Sequence, residues 1–180
     1  MSLALVDFFD LRYDHRNKSP VIFLKDVRKE KYLPVWIGEL EASSIELAAI
    51  RRNAPRPLTH DLFVSVLHEL GAHIDRVVID RLESKTYFAT LILEHDGRTM
   101  EVDSRPSDAI ALALRENVRI FVDEDLMYGI KFVELSEPGA LEDDEDDDQE
   151  PEAEHPSGPE EEEEFLDFLK RISPSDFKNS

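Results

Sequence analysis

The sequence predicts an α+β fold: a mixed, largely antiparallel sheet with about three helices, followed by a disordered acidic tail. Three observations lead there. Short runs rich in Val, Ile, Leu and Tyr recur between turn-forming residues over the first 135 positions, the pattern expected of strands. Among those runs stand three stretches with helix-forming composition or 3.6-residue apolar spacing. Beyond them the apolar residues give way to a long acidic run, which lacks the groups whose burial would offset the entropy of ordering.

Residues 3–12 and 21–25 read as strands separated by a polar turn at 15–19. Residues 32–38, YLPVWIG, read as a third strand, and Pro34, which cannot donate to a ladder, places it at a strand start or a sheet edge. Residues 39–52 are rich in Leu, Ala and Glu and finish on Arg51 and Arg52, which suits a helix with cations at its C-terminus. After the two prolines of NAPRPL, Thr59 is expected to cap a second helix, the clearest amphipathic one in the chain. Leu62, Phe63, Val66, Leu67 and Leu70 recur there at helical spacing before Gly71 supplies the stop. Residues 73–82, 86–94 and 98–103 form an expected antiparallel meander, its second turn marked by Asp96-Gly97, a strong two-residue hairpin signal. SRPSDAIALALREN, 104–117, reads as a third helix capped by Ser104 or Ser107 with Pro106 in its first turn. Its AIALAL stretch is apolar all round, which predicts burial on more than one face. Residues 119–122 read as a short strand and 123–128 as one more helical turn.

The expected organisation is therefore a domain over 1–135, a disordered acidic linker over 136–163, and a short amphipathic docking helix over 164–180. In that last element Phe165, Phe168, Leu169 and Ile172 share one face, so a protein partner is expected for them. Residues 134–180 hold 19 acidic side chains against 3 basic ones, and residues 1–133 hold 22 against 18, so nearly all of the net charge of −20 lies beyond residue 133. Such a field excludes bulk attraction for a polyanion and leaves only a local basic cleft as a route to nucleic acid. The absence of cysteine excludes disulfides, thiolate metal sites and cysteine nucleophiles. No stretch approaches the ~20 apolar residues of a membrane span, and Asp7 and Asp10 interrupt the N-terminal apolar run too early for a secretion signal. A cytoplasmic location is the expectation. The sequence contains no HExxH, GxSxG or Walker pattern and only 6 glycines, so hydride transfer and P-loop chemistry have no support.

Two helix starts carry the residues that point to chemistry. In VDSRPSDAIALAL, 102–114, Asp103 ends a strand, Arg105 sits in the turn, and Ser107 and Asp108 open a helix. A helix N-terminus with an arginine suits a phosphate, and two nearby carboxylates suit a hard cation such as Mg²⁺. The bland account is equally physical: Asp and Ser cap the helix and Arg105 pairs with Asp103 or Asp108. In RPLTHDL, 56–62, Arg56, Thr59, His60 and Asp61 repeat the same theme, now with an imidazole able to act as general base near neutral pH. Here the bland account makes His60 and Asp61 first-turn surface residues. If the fold brings these termini together, Arg56, Arg105, Asp61 and Asp108 line one cleft. Glu41 and Glu46 read as a solvated helix face, and His68 as a partly buried side chain.

At these motifs the chain resembles the bifunctional nuclease family, a group of small bacterial proteins with plant relatives. The resemblance rests on YLPVWIGELEASSIELA (32–48), RPLTHDLF (56–63) and SRPSDAIALAL (104–114), in that order, and spans about residues 3–133. It implies an α+β domain that self-associates, hence a homodimer or higher homo-oligomer. It also implies hydrolysis of DNA and RNA assisted by a divalent metal, Mg²⁺ or Mn²⁺. On the residues present, Asp61, Asp103 and Asp108 are then the metal candidates, Arg56 and Arg105 the phosphate clamps, and His60 the base. The competing class is a non-catalytic oligomeric regulator, in which the same motifs cap helices and form an interface. The missing positive charge and the lack of a metal signature support that rival, the resemblance supports hydrolysis, and hydrolysis is the first reading of the two.

Overall fold

The computed structural model describes residues 2–129 apart from Arg16 and Asn53. The expected linker and docking element, with Phe165, Phe168, Leu169 and Ile172, lie outside the described residues. In chain order the elements are β1 (Leu3–Asp14), β2 (Ser19–Asp26), β3 (Tyr32–Trp36), α1 (Glu39–Ala49), α2 (Thr59–Glu69), β4 (Ala72–Glu83), β5 (Thr86–His95), β6 (Arg98–Ser104), α3 (Pro106–Glu116), β7 (Arg119–Asp123) and α4 (Glu124–Gly129). The strands make one sheet in the order β3-β2-β1-β7-β4-β5-β6. Every pairing is antiparallel except β4 with β7. The fold is thus α+β, with a mixed, mostly antiparallel sheet and four helices among the described residues. Among them no helix is long and apolar enough to cross a membrane.

Two local rules explain the two halves of the sheet. Hairpin chemistry builds the meander β4–β5–β6. Asp96 and Gly97 both take positive φ, 48° and 72°, between the paired residues His95 and Arg98, as a two-residue turn requires. Ser84 and Lys85 do the same between Glu83 and Thr86 without a glycine. At the other end, β3 is an edge strand, where Pro34 leaves no ladder hydrogen bond unmade. The last strand, β7, then enters the middle of the sheet. It pairs with β1 on one side and β4 on the other, so the first and last strands of the domain close it together.

Helix α3 is the centre of the helical layer. Ala109 to Ala113 are all buried, and the helix packs against α1, α2 and the sheet. The all-round apolar AIALAL stretch therefore does what its pattern predicts, with alanines permitting close approach on several sides. Helix α1 buries Ala42, Ile45 and Ala48, three positions on one face. Helix α2 departs from expectation. Leu62, Phe63, Val66 and Leu70 are between 40% and 65% exposed, and only Val64 and Leu67 pack on the core. Apolar spacing specifies a helix but not what covers its stripe.

The helix ends also differ from the sequence reading. Leu58, not Thr59, is the N-cap of α2, and its N–H donates to Asp61 Oδ2 at 2.9 Å. Arg105, rather than Ser104 or Ser107, is the N-cap of α3, with Pro106 as its first residue. Helix α1 stops at Ala49 instead of running to Arg52. Its last carbonyls are met by the N–H groups of Arg51, to Ala48, and Arg52, to Leu47, each at 3.0 Å. This is the glycine-type C-terminal motif, built here with Arg51 in the left-handed conformation at φ 50°.

Candidate functional site

The three helices meet along a continuous polar chain. Asp108 stands in the first turn of α3, three residues after Arg105, and that spacing lets the guanidinium grip its carboxylate twice. Arg105 Nε donates to Asp108 Oδ2 at 2.7 Å and Nη2 to Oδ1 at 3.1 Å. The same guanidinium donates through Nη1 to Glu41 Oε1 of α1 at 2.8 Å. From α2, His60 places Nε2 3.1 Å from Asp108 Oδ1 and Nδ1 2.9 Å from the Ser44 hydroxyl of α1. Arg115, two turns after Asp108, closes the far end: Nη2 donates to Ser44 Oγ at 3.2 Å, Nη1 to the Ser44 carbonyl at 3.3 Å, and Nε to Asp61 Oδ1 at 2.6 Å.

The electrostatics follow from these contacts. Burial pushes the Asp108 carboxyl up, but hydrogen bonds from Arg105 and His60 outweigh it and hold the group below its ordinary value of 3.8. Burial likewise raises Asp61, and Arg115 with the Leu58 N–H brings it below the ordinary value. The hydrogen bonds to Asp108 and then Glu41 hold Arg105 above its ordinary value. Asp108 is therefore ionised near neutrality and can only accept. That places the proton of neutral His60 on Nε2, leaving Nδ1 as the acceptor for the Ser44 hydroxyl. Carboxylate, imidazole and hydroxyl stand in the order used by nucleophilic relays, with the two ring nitrogens exchanged relative to the serine-protease arrangement.

The network has a cavity at either end. One, of ≈ 320 Å³, is bordered by Glu41, Arg105, Gly38, Ser107 and Tyr87. The other, of ≈ 580 Å³, is bordered by Asp61, Arg115, Arg51 and Arg52. An anion can approach Arg105, which is 64% exposed despite its two carboxylate partners.

The structure brings together His60, Asp61, Arg105 and Asp108, but not the remaining sequence candidates. Asp103 lies on β6, paired with Thr90, and its exposed carboxylate is 3.9 Å from Arg81. Arg56 is exposed and has no ion-pair partner among the described residues. Asp61, Asp103 and Asp108 do not form one ligand set, and among the described residues no three His, Asp or Glu side chains are placed to hold a metal. The donors present do not fit a preformed three-ligand metal centre. Sequence reasoning missed Ser44, Glu41 and Arg115. Glu41 is held by Arg105 instead of facing solvent, and His68, expected to be partly buried, is exposed and bonded to Glu116 at 2.7 Å. The usable signal was helical spacing: Glu41 and Ser44 are three apart, and Asp108 and Arg115 seven apart, so each pair shares a helix face.

Comparison with known proteins bears on this site. The model of the bifunctional nuclease domain matches residues 22–134, which include all of these side chains. An uncharacterized protein of Mycobacterium tuberculosis is 37% identical over 168 residues, covering 93% of this chain and 94% of that one. Bifunctional nuclease 2 of rice is 33% identical over 124 residues, 64% of this chain but 38% of its own length. Bifunctional nuclease 1 of Arabidopsis thaliana is 28% identical over 119 residues, 62% and 37% of the two chains. A match across more than half of the chain, together with a relative alike along nearly its whole length, establishes that the chain belongs to the bifunctional nuclease domain family.

Proposed function

We propose that this chain hydrolyses phosphodiester bonds of DNA and RNA at the Ser44–His60–Asp108 line. The observation that carries the reading is the orientation of His60, held by a carboxylate at one nitrogen and facing a hydroxyl with the other. The nuclease names of the plant relatives support the choice of substrate.

The roles follow from the contacts. Asp108 orients His60 and stabilises its protonated form. Arg105 exchanges part of its carboxylate contact for a phosphoryl oxygen, where charge grows in the transition state. Because His60 Nδ1 faces Ser44, the proton it takes is the serine's. A water hydrogen-bonded to Ser44 attacks phosphorus, passes its proton to Ser44 Oγ, and Ser44 passes its own to His60. The bond from phosphorus to the leaving sugar oxygen breaks, that oxygen takes a proton from solvent, and His60 releases the one it gained to solvent. Arg115 holds Ser44 in place from both its hydroxyl and its carbonyl.

A second reading has an observation of its own. Arg115 ties α1, α2 and α3 together through Ser44, Asp61 and Ala111, so the same network suits a helix clamp in a non-catalytic, self-associating protein. Cleavage of single-stranded RNA and DNA at low salt, with and without Mg²⁺, Mn²⁺ or chelator, separates the two. In the nuclease reading Arg105→Ala and Asp108→Asn stay folded and lose about a hundredfold in rate, as when one transition-state donor is removed. If rigorously purified wild type does not cleave, the clamp reading stands. If both variants cleave as well as wild type, the activity belongs elsewhere.

A further inference from the structure

The larger cavity carries an inference beyond the chemistry at His60. Its wall holds Arg51, Arg52 and Arg115 against two carboxylates, Asp61 and Glu116. Both carboxylates are already engaged, Asp61 by Arg115 at 2.6 Å and Glu116 by His68 at 2.7 Å. Arg51 and Arg52 are exposed and have no carboxylate partner among the described residues. Six other described arginines, Arg105 and Arg115 among them, each have one, while Arg98 and Arg119, at strand starts, do not. Within a domain whose acids outnumber its bases, this wall is a local excess of positive charge. Arg56, later in the same α1–α2 connection, is likewise without an ion-pair partner among the described residues.

The backbone adds a second observation. Arg51 ends helix α1 at φ 50°, a position where glycine is the residue that fits without strain. The same conformation lets the Arg51 and Arg52 N–H groups meet the Ala48 and Leu47 carbonyls, and it sets both arginines on the cavity wall. The residue borders a cavity of ≈ 580 Å³, roomy enough for a nucleotide on the usual scale of ligand pockets.

We propose that the cavity bordered by Arg51, Arg52 and Arg115 is a backbone-phosphate subsite for single-stranded nucleic acid. It lies at the Asp61 end of the polar chain that holds His60. This deepens the nuclease reading, since a strand seated there passes along the α1–α3 junction toward Arg105. Arg51 and Arg52 supply fork-shaped donors suited to phosphate oxygens, and they do so locally, where the chain's overall charge repels a polyanion.

The test is binding, measured without cleavage. Fluorescence anisotropy follows a labelled single-stranded RNA on the full-length His60→Gln protein, across a salt series. In that background Arg51→Gln with Arg52→Gln is expected to weaken binding at least tenfold. It should also flatten the slope of log affinity against log salt by about 1.4, the value for two lost phosphate contacts on a single strand at roughly 0.7 each. Arg51→Gly is the control for folding: it relieves the left-handed strain, so its melting temperature rises by a few degrees, while its affinity falls. Unchanged affinity and salt slope in both variants would overturn the proposal. Weakened binding in a protein whose wild type never cleaves would support the subsite and sink the nuclease reading, so the two fail separately.

Discussion

His60 makes two hydrogen bonds, and the partner on each nitrogen decides what it can do. With Asp108 ionised at Nε2, only Nδ1 is free to accept, and it faces Ser44. The charge on Asp108 can be tested independently of any substrate. Its folded value is depressed, so the stability it contributes is fully present above its ordinary value of 3.8 and is lost as pH falls through the lower folded value. Wild type should therefore exceed Asp108→Asn in thermal stability near neutrality, and the gap should close on acidification below about pH 4. A gap that persists unchanged into acid would show that Asp108 contributes shape and not charge. At this scale Asp108, Arg105 and His60 were legible in the sequence because they sit at helix starts, where residue choice is constrained. Ser44 and Arg115 were not, since their partners are 16 and 71 residues away in sequence and no local pattern links them.

The elements show where pattern ceases to specify structure. The Asp96-Gly97 turn and the buried α3 were legible because each is encoded locally, by turn chemistry and by apolar density. The Ser84-Lys85 turn, with no glycine to mark it, was placed only through the strands on either side. In α2 the spacing of Leu62, Phe63, Val66 and Leu70 gave the helix correctly, but those side chains remain exposed. A stripe of this kind on an otherwise well-packed domain is what an interface leaves when its partner is removed. We expect a second copy of the chain to cover it. Val66→Asp should then shift the sedimenting species from at least twice the chain mass to one chain, while circular dichroism still reports a folded protein, because the side chain is 47% exposed in the single chain. A wild-type protein that sediments as one chain at tens of micromolar would remove this explanation of the stripe.

At the scale of the molecule, the sheet order explains why the site exists. Strand β7 lies between β1 and β4 and follows directly from α3, so α3 must cross the sheet beneath α1 and α2. That crossing brings Arg105, Asp108 and Arg115 under Glu41, Ser44, His60 and Asp61. The three sequence motifs, far apart in the chain, are the three helix segments that meet there. Asp103 escapes the site for the same reason: it belongs to β6, the far edge of the sheet, and not to the helical layer. The charge of −20 makes this local assembly more consequential, because encounter with a polyanion must overcome the field of the whole chain. Low salt is therefore the wrong condition for strengthening attraction to the molecule as a whole, yet the right one for revealing contacts at individual arginines.

In the proposed reaction His60, held by Asp108 and facing Ser44, takes up the proton released by the attacking water. The most direct measurement is the single-turnover cleavage rate of one labelled single-stranded RNA and its DNA counterpart. Wild type and His60→Ala, purified identically, are compared with enzyme in excess. A loss of about a hundredfold or more is expected on both substrates, in keeping with the contribution of a positioned general base, while the melting temperature confirms a folded variant. Equal rates for wild type and His60→Ala on either nucleic acid would contradict it.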